Sequence, residues 1–233
     1  LYNFIQILFD RWAMIEKVSH DKISGTIIFK DIGEFLVPKN FMNFSKLSSE
    51  DLWNHWIYGE IIKLYDEIPI IEVPFDKENL TDLNSSENNK FKKFVKIAVK
   101  KYSYLSRNSK YFFFNSSFKK NDQLKLELAL KQLPTFYDFS LTNEIEIIEV
   151  DRSRFNLNFR ASNKFESFLL QIIPQQIPKY YLEGYSSLKK ECKNKYLPTC
   201  PEVIITSSSI IGNDIFKFWV AEKIEKGSKL IVS

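Results

Sequence analysis

The sequence predicts an α/β fold, a Rossmann-like parallel sheet with flanking helices, on three observations. Near its end "PEVIIT" is followed by an amphipathic stretch, Asp214–Lys226, and then by "KLIV". That order, strand, helix and strand with short connections, is the unit whose strands pair in parallel with a right-handed crossover. Both strand runs are solidly apolar, as expected of strands covered on both faces.

The earlier elements follow in order. Leu1, Ile5, Leu8, Phe9, Trp12 and Ile15 recur at helical spacing, so the chain opens on a helix with one apolar face. Gly25 precedes "TIIF", which reads as a buried strand, and "LVPKNFMNF" reads as a connector. Ser48 and Asp51 have capping spacing ahead of Leu52, Trp53, Trp56, Ile57, Ile61 and Leu64, a second amphipathic helix. "IPIIEV" reads as a strand bracketed by Pro69 and Pro74, and 76–90 as a polar loop. Residues 91–102 form a lysine-rich amphipathic pattern, followed by "KYFFFNSS", a strand ending in small polar residues. "DQLKLELALKQL" reads as a helix stopped by Pro134, and "IEIIEV" as a strand. Asn163 and Glu166 make a capping-box pair for "FESFLLQII"; Pro178 suits the first turn of a further helix through Lys195. Asn213 caps the stretch that Gly227 ends in the left-handed position.

Composition narrows the function. A length of 233 residues with 44% apolar and 15% aromatic content gives ample core material. A net charge of +4 is mild and no recognition motif accompanies it, so nucleic acid is not an expected partner. Two cysteines, Cys192 and Cys200, are compatible with a disulfide but fit a reducing compartment better. The two histidines, His20 and His55, have no metal-ligand spacing, so no metal is expected. No apolar run reaches the roughly 18–20 residues of a membrane span, and no signal peptide is visible. A cytoplasmic protein is the expectation. The lysine-rich 91–102 stretch is a solvated cationic face or, alternatively, a peripheral contact with the inner face of the cytoplasmic membrane.

In an open parallel sheet, ligands bind beyond the carboxyl ends of the strands. "TSSS", Thr206, Ser207, Ser208 and Ser209, stands between the "VII" strand and the next helix, with Asn213 behind it. Hydroxyls beside free helix amides suit a phosphate or a sugar; the plainer use of the same residues is to cap the helix. Ser233 ends the second strand and is the next candidate. Arg11, in "LFDRW", is a candidate phosphate or carboxylate ligand or half of a surface ion pair, and Arg154 and Arg160 pose the same choice. No glycine-rich dinucleotide fingerprint and no phosphate-binding loop motif occurs, and no organic cofactor is expected. Glu144, Glu146 and Glu149 alternate as the charged outer face of a strand, with a glycosidase-like carboxylate pair as the sharper alternative.

"IFKFWVAEKIEKGSKLIVS", "FESFLLQIIPQQIPKYYLEGY" and "ILFDRW" resemble segments of a transferase family encoded in O-antigen and surface-carbohydrate loci. The likeness spans most of the chain in the same order. "IPKYYLEGY" and "FKFWVAEKIEKGSKL" are its most specific parts; "TSSS" before "DIFKFW" is a looser match. The resemblance implies a two-domain, GT-B-like glycosyltransferase with a nucleotide-sugar donor and a polysaccharide or lipid-linked acceptor. It implies that 1–233 is a single partial α/β domain of a longer protein, with the C-terminal domain absent. In that family the last strand leads into a Gln-His-Gly-Gly loop that holds the natural base. This sequence lacks the loop, and neither His20 nor His55 matches its position. The catalytic residues are therefore expected beyond Ser233, with the fragment alone inactive. The rival expectation is a non-catalytic scaffold or interaction domain of a polysaccharide assembly complex.

Overall fold

The apolar stripe that opens the sequence folds, as its spacing predicts, into a helix that buries Phe4, Leu8 and Trp12. The structure is a computed structural model and describes residues 1–18, 23–65, 68–75, 102–103, 105, 107–134, 137, 144–193, 197–207 and 209–233. Its elements in chain order are α1 (Tyr2–Glu16), β1 (Thr26–Lys30), α2 (Phe41–Leu47), α3 (Asp51–Ile62), β2 (Ile70–Pro74), β3 (Tyr111–Phe114), α4 (Lys120–Ala129), α5 (Lys164–Gln176), α6 (Tyr185–Lys193), β4 (Val203–Thr206), α7 (Ser209–Gly212), α8 (Asp214–Glu225) and β5 (Lys229–Val232). Short 3₁₀ turns lie at Gly33–Leu36, Arg152–Arg154 and Lys179–Tyr181. The protein is thus mixed α/β with parallel sheets and flanking helices. It divides into two compact units, Leu1–Leu83 with Ile148–Glu183, and Asn84–Ile147 with Gly184–Ser233.

In the first unit β1 and β2 pair in parallel, from Thr26 against Ile70 to Lys30 against Pro74. Both runs are legible as strands, but nothing in their residues says that they pair with each other. The core is aromatic: Trp53, Ile57 and Ile61 of α3 cluster with Leu8 and Trp12 of α1 and with Phe168 and Ile172 of α5. Phe44 meets Trp53 edge-on, with ring centroids 6.0 Å apart, a favoured aromatic geometry. Gly33 is there for space, since a Cβ would come within 2.8 Å of the Trp56 ring.

Helix α2 is the first correction, because it begins within the stretch that reads as a connector. Asn40 caps it, its Oδ1 accepting from the Asn43 N–H at 2.9 Å. Ser48 then belongs to the end of α2, donating to the Ser45 carbonyl at 3.2 Å, so it does not cap α3. Residue Glu50 takes that N-cap position without a side-chain bond. At α5 the predicted box does form. Asn163 Oδ1 accepts from the Glu166 N–H at 2.8 Å, and Glu166 reaches back one residue further than usual, to the Ser162 N–H at 2.6 Å.

Arg152 holds the other end of α5. Its guanidinium donates to the carbonyls of Pro174 (3.1 Å), Gln175 (2.8 Å) and Ile177 (2.8 Å), and to both Glu183 carboxylate oxygens at 2.6 and 2.8 Å. A helix C-terminus leaves its last carbonyls without intrahelical partners, and a cation there also opposes the negative end of the dipole. The neighbouring turn is fixed by Asp151, whose carboxylate accepts from the Ser153 hydroxyl and amide and from Arg154. Those bonds hold its carboxyl below the usual carboxylate range, the Ser153 hydroxyl first among them.

In the second unit three strands form one parallel sheet in the order β3-β4-β5. The predicted pairing of "VIIT" with "KLIV" is present, and "YFFF" adds a third strand. Helix α8 covers one face: Trp219 lies 4.7 Å from Phe112 and Phe216 lies 5.1 Å from Phe114, ring to ring. Asn213 caps α8, accepting from the Phe216 N–H at 2.9 Å, and Gly227 takes φ +98° just after it. The Gln132 amide accepts from the Tyr111 N–H at 3.1 Å and donates to the Tyr111 carbonyl at 2.6 Å, mimicking a neighbouring strand for one residue.

Four sequence expectations change here. Among the described residues the apolar run of β5 is not covered on both faces: β5 stands last in the strand order, and Ile231 and Val232 are exposed. "IEIIEV" is not a strand; Ile145 is buried, Glu144, Glu146 and Glu149 are exposed, and the Glu146 N–H donates to Ser187 Oγ at 3.1 Å. Helix α4 ends at Ala129, ahead of Pro134, where Lys131 turns the chain with φ +57°. Pro178 begins a 3₁₀ turn, Lys179–Tyr181, and the following helix runs Tyr185–Lys193. The lysine-rich 91–101 stretch and His20 lie outside the described residues. Among the described residues no helix is long and apolar enough to cross a membrane.

Candidate functional site

The register of the three-stranded sheet decides what stands at its carboxyl edge. Phe114, Thr206 and Val232 are level with one another, so the next residues, Asn115, Ser207 and Ser233, leave the sheet side by side. Each strand therefore changes from an apolar run to small hydroxyl or amide side chains at the same height. The sequence shows the same pattern three times, in "FFFNSS", "IITSSS" and "LIVS".

Hydrogen bonds join these ends. Asn115 has φ +46°, the left-handed conformation that asparagine tolerates better than most residues. Its carbonyl accepts from the Ser207 N–H at 3.1 Å and from the Ser207 hydroxyl, and its amide donates to Ser209 Oγ at 2.7 Å. The Ser233 N–H donates to the Thr206 carbonyl at 2.9 Å, and the Ser117 hydroxyl donates to Ser233 Oγ at 2.8 Å. Ser116 donates to Gln123 Oε1 at 2.9 Å. Thr206 itself is 0% exposed, and among the described residues its Oγ1 has no hydrogen-bond partner.

Of the sequence candidates, Thr206, Ser207, Ser209, Asn213 and Ser233 fall in this unit, with Thr206, Ser207 and Ser233 on the edge and Ser209 bonded to it through Asn115. Ser208 lies outside the described residues. Asn115, Ser116 and Ser117 are the residues missed as candidates, although their strand and its polar ending were legible. Arg11 belongs to the other unit, where its Nε donates to Asn54 Oδ1 at 3.1 Å. Arg160 is exposed, and Arg154 is an exposed partner of Asp151.

The anion argument for "TSSS" weakens. The helix that follows directly is the single turn α7, too short to build a dipole. The long helix α8 starts with Asp214, a buried carboxylate 3.5 Å from Lys217 Nζ, so its N-terminus already holds a negative group. The amides of Ser207 and Ser233 are also engaged.

With this geometry in place the chain can be compared with known proteins. The sequence model of the LIC12162 family transferases matches residues 1–233. The chain belongs to that family. No curated protein and no solved structure matches it. For an LIC12162 family chain the family description gives the class of reaction, group transfer, and the structure gives the place where strand ends converge. Among its described residues no group of three His, Cys, Asp or Glu side chains is arranged to hold a metal ion. Cys192, which is buried, and Cys200, which is exposed, are not joined by a disulfide.

Proposed function

We propose that this chain serves sugar transfer from a nucleotide-activated donor in bacterial surface-polysaccharide or O-antigen synthesis, and that the carboxyl edge of the β3-β4-β5 sheet faces the donor. The observation that carries the reading is the level convergence of three parallel strand ends on Asn115, Ser207 and Ser233, in a chain of a transferase family. Parallel sheets bind ligands at this edge because their strand-to-helix loops gather there. A GT-B-like two-domain architecture and a polysaccharide or lipid-linked acceptor belong to the same proposal, drawn from the sequence resemblance. So does a place in the cytoplasm at the inner face of its membrane, with 91–102 as the contact.

Transfer also needs a base for the acceptor hydroxyl and cationic or amide groups for the leaving diphosphate. The edge residues Asn115, Ser116, Ser117, Thr206, Ser207, Ser209 and Ser233 include neither a base nor a cation. This edge is therefore expected to hold the donor while the base and the cation come from residues outside it. A non-catalytic interaction domain is the second reading, and the exposed Ile231 and Val232 of edge strand β5 favour it. Saturation-transfer NMR with a panel of nucleotide sugars separates the two. At least one saturable signal is expected, and silence from the whole panel supports the interaction domain.

A further inference from the structure

We infer that the outward face of α4 docks on an anionic membrane surface, with its leucines at the acyl boundary and its lysines against lipid phosphates. The inference stands on the described residues of α4 and depends neither on the 91–102 stretch nor on the strand edge.

Helix α4 is inverted. An amphipathic helix on a domain surface ordinarily turns its apolar side chains inward. Here the buried residue is Glu127, 1% exposed, whereas Leu124, Leu126 and Leu128 are 41%, 37% and 59% exposed. Hydrogen bonds account for the inversion. The Ser116 hydroxyl donates to Gln123 Oε1 at 2.9 Å, and Gln123 Nε2 donates to Glu127 Oε1 at 3.5 Å. Gln123 and Glu127 lie one turn apart, so this polar line turns toward Ser116, just past β3, and sets the rotation of the helix. Leu124 and Leu128 share the neighbouring line and are left outward by that rotation. Phe118 and Leu133, on either side of the helix in sequence, are exposed as well. Contiguous apolar surface of this kind marks a place where something docks.

Charge identifies the occupant. Between Phe118 and Leu133 four lysines are exposed, Lys119, Lys120, Lys125 and Lys131, and the one exposed carboxylate is Asp122. Lys120 stands one turn before Leu124 on the same line, and Lys125 lies alongside. Cations fringing an apolar ridge match an anionic bilayer, which offers acyl chains and phosphates at adjacent depths. A protein partner would have to supply acidic and apolar groups in one fixed register; a fluid lipid surface supplies them in any.

The test is flotation of the 233-residue chain with vesicles of phosphatidylcholine, with and without phosphatidylglycerol. Binding is expected only with the anionic lipid, and is expected to weaken as salt rises. Leu124→Gln with Leu128→Gln is expected to weaken it about tenfold, and Lys120→Gln with Lys125→Gln about 25-fold, roughly fivefold for each lysine. All four side chains are exposed, so the melting temperature is expected to hold. Binding that either α4 variant leaves unchanged overturns the proposal, and its loss in Lys92→Gln with Lys93→Gln instead moves the contact to 91–102. A native chain that binds no anionic vesicle also overturns it; self-association that Leu124→Gln with Leu128→Gln prevents would then assign the ridge to a second copy. None of these results bears on the strand edge, which the nucleotide-sugar panel decides.

Discussion

Arg152→Ala is expected to destabilise the protein by about 3–5 kcal/mol, the usual cost of removing one partner of a buried ion pair. Glu183 keeps only 6% of its side chain exposed, so without the guanidinium it is a sealed carboxylate with no other cation paired to it among the described residues. The same change frees the carbonyls of Pro174, Gln175 and Ile177 at the end of α5. A domain's whole stability is about 5–15 kcal/mol, so denaturant titration should show the loss plainly. Arg152→Lys recovers part of it, since an ammonium has three donors where the guanidinium uses five. Arg154→Ala, two residues away, should cost no more than about 1 kcal/mol, because its pair with Asp151 is exposed. Equal effects at the two positions would refute the clamp.

Trp53→Ala should cost a similar amount, about 3–5 kcal/mol, by leaving a cavity in the centre of the first unit. Trp53 is fully buried, packs edge-on against Phe44 and donates its indole N–H to Gln176 Oε1 at 3.2 Å. Truncation therefore removes packing and also strands a buried amide whose Nε2 has no acceptor among the described residues. Trp53→Phe separates the two contributions: it keeps most of the ring volume, loses the hydrogen bond, and should cost about 1–3 kcal/mol. Thermal or denaturant melts of the two variants check both values, and a Phe variant as damaged as the Ala variant would contradict a packing-dominated role.

These two residues also mark where sequence reading succeeds and stops. Trp53 is legible as core because it lies on an apolar helical stripe, and its partner Gln176 is not, being far away in sequence. Arg154 and Arg160 attract notice as anion ligands, while Arg152 carries the structure. Nothing in "DRSR" says which arginine faces a helix end; that depends on the path of the chain into the turn. Caps are local, so Asn163, Asn213 and Gly227 are readable from neighbours in the chain. The pairing of β1 with β2 is not local, and neither is the meeting of Asn115 with Ser207. The candidate edge was therefore half visible: the polar ends of β4 and β5 can be predicted from one strand-helix-strand unit, but β3 joins only through long-range pairing. Helix α2 was hidden because a single short helix among aromatic and proline residues has no sustained period.

The central claim is that the polar ends of β3, β4 and β5 act together as one ligand-facing edge. Amide hydrogen exchange, followed with and without a saturating nucleotide sugar, tests it most directly. The account predicts slower exchange that includes Asn115–Ser117, Ser207 and Ser233 and leaves the amino ends of the same strands unchanged. Protection confined to those amino ends, or none at any strand end while the ligand is bound, would contradict it.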